Sequence, residues 1–217
     1  MVPTTTSRSK VSSLLRPRAQ TCPVDTAAAR GNLNPQRTAK MKLDKVANSK
    51  NDEFYTPRYA VEPIIKHLKI SGYKSIRCPF DTDKSNFVKM LRREGFEVIN
   101  THIDSGVDFF NLNFSDCDCV VSNPPYSIKG DVFKHLFNTG VPFAMLVGVV
   151  GLFESQSRFE MFKDNPFEIM YMNRRVSYMK DYESGRTELN PPFSSVYLCR
   201  NVLYDRIVFE ELDKKNI

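Results

Sequence analysis

From residue 51 onward the sequence predicts an α/β fold, a doubly wound and mostly parallel sheet with helices on both faces. Short segments of strand character alternate with helical segments of roughly ten residues, which is typical of consecutive β-α-β units. Residues 142–150 are almost entirely apolar, as expected for a central strand that is buried on both faces. The chain has 217 residues and is 41% hydrophobic, which suffices for one domain with its own core.

The first fifty residues differ from the rest in composition and charge. Residues 1–50 contain ten Lys or Arg against two Asp, whereas residues 51–217 carry a small net negative charge. Large apolar side chains are scarce there, so this segment cannot offset the entropy lost on ordering. We therefore predict a flexible basic tail over 1–50 and a domain over 51–217. The tail is either an electrostatic arm for nucleic acid or a solvated extension, and both interpretations stay open.

Turn and cap residues set the bounds of the predicted elements. Gly95 and Gly140 are typical of helix ends, because glycine adopts the left-handed conformation there at little cost. Pro124 and Pro125 end a strand, because proline cannot donate a hydrogen bond to a neighbouring strand. The predicted helices are 59–68, 84–94, 131–138 and 154–163, and the predicted strands are 75–80, 96–100, 117–122, 142–150, 168–172 and 194–199.

Cysteine and histidine usage argues against several classes of protein. The five cysteines form no Cys-x-x-Cys pair, and their odd number is unlike a disulfide framework. Only three histidines occur and no His-Glu-x-x-His motif is present, so we expect no catalytic metal. The sequence has no apolar span of eighteen residues and no signal-peptide pattern. We predict a cytoplasmic protein that has no membrane segment.

Polar residues follow three of the predicted strands at the point where each ends. These are Phe80-Asp81, residues 100–104, and the tetrapeptide Asn123-Pro124-Pro125-Tyr126. In open α/β sheets, ligands bind beyond the carboxyl ends of the strands, so we expect these positions to line one crevice. The tetrapeptide offers a side-chain amide, a backbone carbonyl and an aromatic face. That combination suits a flat group that carries an exocyclic NH2.

The tetrapeptide after an apolar strand resembles motif IV of the amino-methyltransferases that use S-adenosylmethionine. The segment Tyr55-Thr56-Pro57 ahead of the first helix resembles motif X, and Asp108-Phe109 resembles motif III. Residues 173–178 and 191–195 are similar to the late hairpin of adenine methyltransferases. The order of these segments matches the gamma arrangement of DNA N6-adenine methyltransferases. Cys-Pro-Phe-Asp at 78–81, followed by Ser-Asn-Phe-Val, resembles small phage-type members.

The resemblance implies a Rossmann-like class I methyltransferase sheet of seven strands. It also implies S-adenosylmethionine as cofactor and methyl transfer to N6 of adenine in DNA. Adenine leaves the duplex to reach such a site. The implied acceptor residues are Asn123, Pro124, Pro125 and Tyr126. The implied cofactor-binding residues are Tyr55, Thr56, Pro57, Pro79, Phe80, Asp81, His102, Asp104, Asp108 and Phe109.

Two departures from the family pattern concern the cofactor half of the site. Residues 78–84 contain no glycine, although glycine normally lets the backbone approach the cofactor closely. His102 occupies the position of the acid that binds the ribose hydroxyls, and Asp104 is the candidate substitute. RNA adenine and a protein glutamine are alternative acceptors. A degenerate methyltransferase fold that binds nucleic acid or a partner without catalysis is the alternative outside enzymes. The sequence does not determine the oligomeric state.

Overall fold

A computed structural model describes residues 54–183 and 185–214. The predicted tail over 1–50 lies outside the described residues. The helices are Arg58–Ile70 (α1), Asn86–Arg93 (α2), Lys129–Thr139 (α3) and Gln156–Asp164 (α4). The strands are Ser75–Cys78 (β1), Glu97–Asn100 (β2), Cys119–Ser122 (β3), Phe143–Gly148 (β4), Glu168–Met172 (β5), Tyr178–Met179 (β6), Thr187–Leu189 (β7), Ser195–Arg200 (β8) and Ile207–Glu210 (β9).

Seven of these strands form one sheet in the order β2-β1-β3-β4-β8-β5-β9. Neighbouring strands are parallel except at β8, which runs antiparallel to both β4 and β5. β5 and β9 therefore point in the same direction as β1 to β4. The predicted fold class, a doubly wound and mostly parallel sheet of seven strands, is confirmed.

The helices cover the two faces of the sheet in two separate apolar layers. α1 and α2 pack on one face, and α3 and α4 pack on the other. Side chains of β3 alternate accordingly: Cys119 and Val121 join the layer under α1 and α2, and Val120 joins the layer under α3 and α4. All four residues of β3 are buried, which explains why its sequence is apolar up to Ser122 at its end.

The predicted elements occur with modest differences at their ends. The helix predicted over 59–68 runs from Arg58 to Ile70, with Pro63 inside it. The strand predicted over 75–80 ends at Cys78, because residues 79–80 turn across the carboxyl end of the sheet. Tyr178–Met179 and Thr187–Leu189 form a separate two-stranded sheet.

One strand of the main sheet was not predicted. β9 has only four residues, Ile207–Glu210, and charged residues stand on both sides of it. Its alternation is too short to distinguish a strand from a loop in the sequence. Pairing with β5 makes β9 the edge strand.

The helices of the described residues are too short and too polar to cross a bilayer.

Candidate active site

A cavity of about 830 Å³ opens beyond the carboxyl ends of β1, β2 and β3. Its volume is in the range of small-molecule sites. Most of the predicted site residues line it, although they come from distant parts of the sequence. Its lining residues are Phe54, Tyr55, Thr56, Pro79, Phe80, Asp81, Thr82, Asp83, Lys84, Ser85, His102, Ile103, Asp104, Val107, Asp108, Phe109, Phe110, Asn123, Pro124, Pro125, Ile128, Asp181, Tyr182 and Glu183.

Asp81 provides the buried negative group of this cavity. Its two carboxylate oxygens accept hydrogen bonds from Ser85 Oγ and Ser122 Oγ, both at 2.5 Å. Burial raises the pKa of Asp81 to about 6, and the two hydroxyl donors oppose that rise. Three elements meet at this carboxyl, because Asp81 follows β1, Ser85 precedes α2 and Ser122 ends β3. The glycine-free loop is thus fixed by hydroxyl-to-carboxylate bonds.

Thr56 brings an unsatisfied hydroxyl to the same cavity. The residue is buried, and its Oγ1 has no hydrogen-bond partner among the described residues. Its backbone carbonyl accepts a bond from Asn86 Nδ2 at 2.8 Å, which ties the segment to α2. α1 has Pro57 rather than Thr56 at its N-cap position, so the Thr56 hydroxyl is not used to cap the helix. A buried polar atom without a partner leaves a hydrogen bond for a ligand to make.

Pro57 is the one predicted cofactor residue outside the cavity lining. It is buried at the start of α1, where its fixed φ suits the turn into a helix. The geometry gives it a structural role and no contact with the cavity.

Aromatic rings form one wall of the cavity. Phe80 and Phe109 lie with ring centroids 4.7 Å apart, and Phe109 is buried. The Asp108 side chain accepts from the Phe110 backbone N–H at 3.0 Å and so caps a short 3₁₀ turn, Phe109–Asn111. This wall suits a flat apolar group, with an exposed carboxylate from Asp108 at its edge.

His102 and Asp104 lie together at the end of β2. His102 Nδ1 is 3.2 Å from both the backbone nitrogen and Oδ2 of Asp104. The Asp104 side chain is exposed, and both residues line the cavity. The Asp104 carboxylate is therefore accessible beside His102, the residue that occupies the position of an acid in the family pattern.

The segment between β6 and β7 forms a roof that the sequence did not predict as part of the site. Tyr182 donates from its hydroxyl to Ser85 Oγ at 3.2 Å, and its ring packs edge-on against Tyr55 at 4.7 Å. Lys84 and Glu183 form an exposed ion pair at 2.7 Å. Met179 donates its backbone N–H to the Tyr55 carbonyl at 2.8 Å. Only tertiary contacts link these segments, so no local sequence signal pointed to Tyr182.

Asn123 stands where the large cavity meets a much smaller pocket. Its Nδ2 donates to the Phe54 carbonyl at 2.7 Å, which leaves the side-chain oxygen as the acceptor. Asn123, Pro124 and Phe54 line both spaces. Pro125 lines only the large cavity, and Tyr126 lines only the small pocket. The predicted acceptor tetrapeptide therefore spans the boundary between them.

The small pocket is filled by aromatic side chains. Tyr126 stacks on Phe193 with centroids 5.5 Å apart, and its hydroxyl donates to the Val150 carbonyl at 3.0 Å. The remaining space is about 10 Å³, roughly that of one water molecule. A Cβ on Gly148 would lie 2.6 Å from the Phe193 ring, so this stack requires glycine there. Entry of anything larger than a water molecule requires these rings to move.

Lys129 is a buried cation beside this pocket that the sequence analysis missed. Its Nζ donates to the Val150 carbonyl at 2.5 Å and lies 3.9 Å from the centroid of the Tyr126 ring. A second carbonyl, that of Gly148, is at 3.4 Å. Lysine is rarely buried without partners, and here two carbonyls and an aromatic face compensate it. Its neighbours in the sequence include the polar residues Ser127 and Asp131, so no local pattern distinguished it.

Within residues 54–183 and 185–214, no group of three or more His, Cys, Asp or Glu side chains is arranged to hold a metal ion.

Comparison with known proteins gives distant structural likenesses. No protein-family model and no curated protein sequence matches the chain. A modification subunit of a putative type I restriction enzyme from Vibrio vulnificus YJ016 is similar with a TM-score of 0.47 and 10% identity. That likeness covers 81% of this chain and 50% of the subunit, so the chain spans about half its length.

A second solved structure is a release-factor-specific protein-(glutamine-N5) methyltransferase from Alicyclobacillus acidocaldarius subsp. acidocaldarius DSM 446. Its TM-score is 0.33 at 16% identity, with 64% of this chain and 88% of that chain covered. β8 is the single antiparallel strand in the seven-stranded sheet of this protein. The chemistry of the protein has to be inferred from the residues of the site.

Proposed function

We propose that this protein transfers a methyl group from S-adenosylmethionine to the exocyclic N6 amine of adenine in DNA. The observation that carries the proposal is the placement of Asn123 at the junction of the cavity and the aromatic pocket. The hydrogen bond from its Nδ2 to the Phe54 carbonyl fixes the orientation of its amide. A methyl donor bound in the cavity and a methyl acceptor bound in the pocket would meet at this junction.

The cavity residues fit S-adenosylmethionine. Asp81 offers a carboxylate for an ammonium group, and the unpartnered Thr56 hydroxyl offers a bond to a carboxylate. Phe80 and Phe109 would hold the adenine ring, and Asp104 would bind the ribose hydroxyls. The volume of about 830 Å³ accommodates a ligand of this size. Tyr55, Pro79, His102 and Asp108 complete the predicted lining. When bound, the cofactor supplies an electrophilic methyl group on sulfur.

The acceptor residues act by orienting a weak nucleophile. The adenine amine is a poor nucleophile because its lone pair is delocalised into the ring. Hydrogen bonds from the amine to Asn123 Oδ1 and the Pro124 carbonyl would favour a tetrahedral nitrogen with a localised lone pair. Tyr126 would stack on the base, at about 1–3 kcal/mol per base. Alignment in a cavity that excludes water would supply most of the rate.

The test is methyl transfer from labelled S-adenosylmethionine to DNA, RNA and protein offered separately. We expect label in adenine-containing DNA, recovered as N6-methyladenine. Asn123→Ala should abolish transfer and leave cofactor affinity within about threefold, because the amide acts on the acceptor. Asn138→Ala, on the exposed surface of α3, is the matched control and should retain full activity.

Three outcomes would contradict parts of the proposal. Label in RNA or in a protein glutamine would reassign the acceptor. Full activity of Asn123→Ala would remove the role of that side chain. If calorimetry detects no cofactor binding at about millimolar concentration, the dissociation free energy is below about 4 kcal/mol. That result would favour a degenerate fold that binds nucleic acid or a partner without catalysis.

A further inference from the structure

β9 forms an edge of the main sheet with an exposed apolar side. Phe209 is 77% exposed and Ile207 is 56% exposed, whereas Val208 between them is buried. Tyr171 on the adjacent strand β5 is 44% exposed and lies 6.1 Å from Phe209, centroid to centroid. Large apolar side chains grouped on an unpaired edge strand are typical of an interaction surface.

The helix layers explain why this surface is open. On one face, Met170 and Met172 of β5 belong to the apolar layer under α1, and Lys66 of α1 bonds Glu210 at 2.9 Å. On the other face, the layer under α3 and α4 reaches only as far as Ile169. Ile207, Phe209 and Tyr171 project beyond it, with no helix of the described residues above them.

The backbone of β9 presents hydrogen-bonding groups outward at the same two residues. The carbonyls of Arg206 and Glu210 accept from β5 and the residue after it, through Ile169 N at 2.8 Å and Asn173 N at 3.1 Å. Because strand residues alternate, the N–H and C=O groups of Ile207 and Phe209 point away from β5. The edge therefore offers two donors and two acceptors.

We propose that two copies of this chain associate through antiparallel pairing of their β9 strands, with a two-fold axis at Val208. In that register Ile207 of each copy lies opposite Phe209 of the other, and each such pair exchanges two backbone hydrogen bonds. The outward groups of the edge are then all used. The exposed apolar side chains meet across the axis on one face of a continuous sheet.

The charges flanking β9 also fit a second copy. The same register places Arg206 of each copy opposite Glu210 of the other, which is favourable on the α1 side of the sheet. The register also places Asp205 of each copy opposite Glu211 of the other, which are like charges. This pair lies beyond the ends of the four-residue strand. Asp205 already accepts from the Arg206 backbone N–H at 2.6 Å. The candidate active site lies at the other end of the strand order and stays accessible in this dimer.

Sedimentation velocity of the full chain tests the pairing. We expect a concentration-dependent species of about twice the 25.0 kDa chain mass. Phe209→Lys and Ile207→Lys should each raise the dimer dissociation constant at least about tenfold, because each buries an unpaired charge against the apolar residue that faces it. Ile70→Lys is the matched control: Ile70 is 65% exposed at the end of α1 and should not change dissociation. Thermal unfolding of each variant verifies that the fold is retained.

Amide hydrogen exchange separates this interface from other arrangements. The amides of Ile207 and Phe209 should become protected as concentration rises, whereas that of Val208, which faces β5, should be protected throughout. A wild-type chain that stays monomeric at about 100 µM would overturn the proposal. So would a dimer that Phe209→Lys leaves intact. Protection of both outward amides in the monomer would assign the surface to another segment of the same chain and equally overturn it.

Discussion

At the scale of single residues, the site depends on ionisable groups that are buried with specific partners. Asp81 has both carboxylate oxygens bonded to serine hydroxyls, and Lys129 has its ammonium group on two carbonyls and a tyrosine ring. Asp81 lines the large cavity, Lys129 lines the small pocket, and Asn123 lines both. Each of the two charged groups has one partner close by in the sequence, Ser85 or Tyr126, and another far away in the sequence, Ser122 or Val150.

The raised pKa of Asp81 predicts a pH dependence of stability. Its pKa is about 6 in the folded chain against 3.8 ordinarily, so between these values the folded state holds a proton that the unfolded state has lost. The free energy of unfolding should therefore fall as pH rises from about 4 to about 6, by about 3 kcal/mol from this group. Asp81→Asn should remove that part of the slope. Urea unfolding of the wild-type protein and of Asp81→Asn across this pH range measures the difference. Identical slopes of unfolding free energy against pH would contradict the raised pKa of Asp81.

Lys129 should act on catalysis by positioning Tyr126. Lys129→Met keeps much of the side-chain volume but removes the ammonium group from the Val150 and Gly148 carbonyls and from the Tyr126 ring. The Val150 carbonyl keeps its bond from the Tyr126 hydroxyl. We expect kcat to fall about tenfold or more, with cofactor affinity nearly unchanged. Lys134→Met, on the exposed side of the same helix, is the control. Equal losses in both variants would indicate a general effect of charge. Steady-state kinetics measures kcat, and calorimetry measures cofactor affinity, for each variant.

At the scale of secondary-structure elements, the β6-β7 hairpin completes the cavity. Its first strand pairs with Tyr55 through an isolated bridge, and its connecting segment places Tyr182 against Ser85. The same segment carries Glu183, whose ion pair with Lys84 is exposed and adds little stability. The Tyr182 ring and hydroxyl therefore hold the roof in place together with the Met179–Tyr55 backbone bridge.

Two substitutions of Tyr182 separate these contacts. Tyr182→Phe keeps the ring against Tyr55 and removes the hydrogen bonds of the hydroxyl, including the one to Ser85. It should weaken cofactor binding a few-fold, or by about 1 kcal/mol. Tyr182→Ala also removes the ring and should weaken binding by more than about tenfold, mainly through faster dissociation. Stopped-flow measurement of cofactor release gives both rates. An unchanged release rate in Tyr182→Ala would show that the hairpin does not retain the ligand.

At the scale of the whole molecule, exposed cations stand on the edge of the sheet that carries the site. β5 runs parallel to β4, so Arg174 and Arg175, which follow β5, lie beyond the same carboxyl edge as Asn123. Both arginines and Lys180 are exposed. These cations are on the segment that leads to Tyr178 in the small pocket, so under the proposed function we expect them to contact phosphate groups.

Removing these charges should weaken DNA binding without changing target preference. Arg174→Ala combined with Arg175→Ala is expected to lower affinity for all DNA sequences similarly and to reduce the salt slope by about one per lost contact. Lys89→Ala combined with Lys134→Ala removes two exposed cations on helices and is the control. Fluorescence anisotropy over a salt series measures both slopes. A loss confined to one DNA sequence would instead indicate base recognition by the arginines.

The sequence by itself determined the α/β class, the main helices and strands, and the turn at Asn123–Tyr126 that ends β3. It did so because apolar periodicity and proline chemistry are local properties of the chain. The strand ends also predicted one crevice, since parallel strands bring their carboxyl ends to a common edge. Only the tertiary structure decided the partners of Asp81, the cavity roof at Tyr182, the buried cation at Lys129 and the edge strand β9. Those features arise from contacts between residues tens of positions apart, such as Tyr182 with Ser85, and local patterns carry no signal for such contacts.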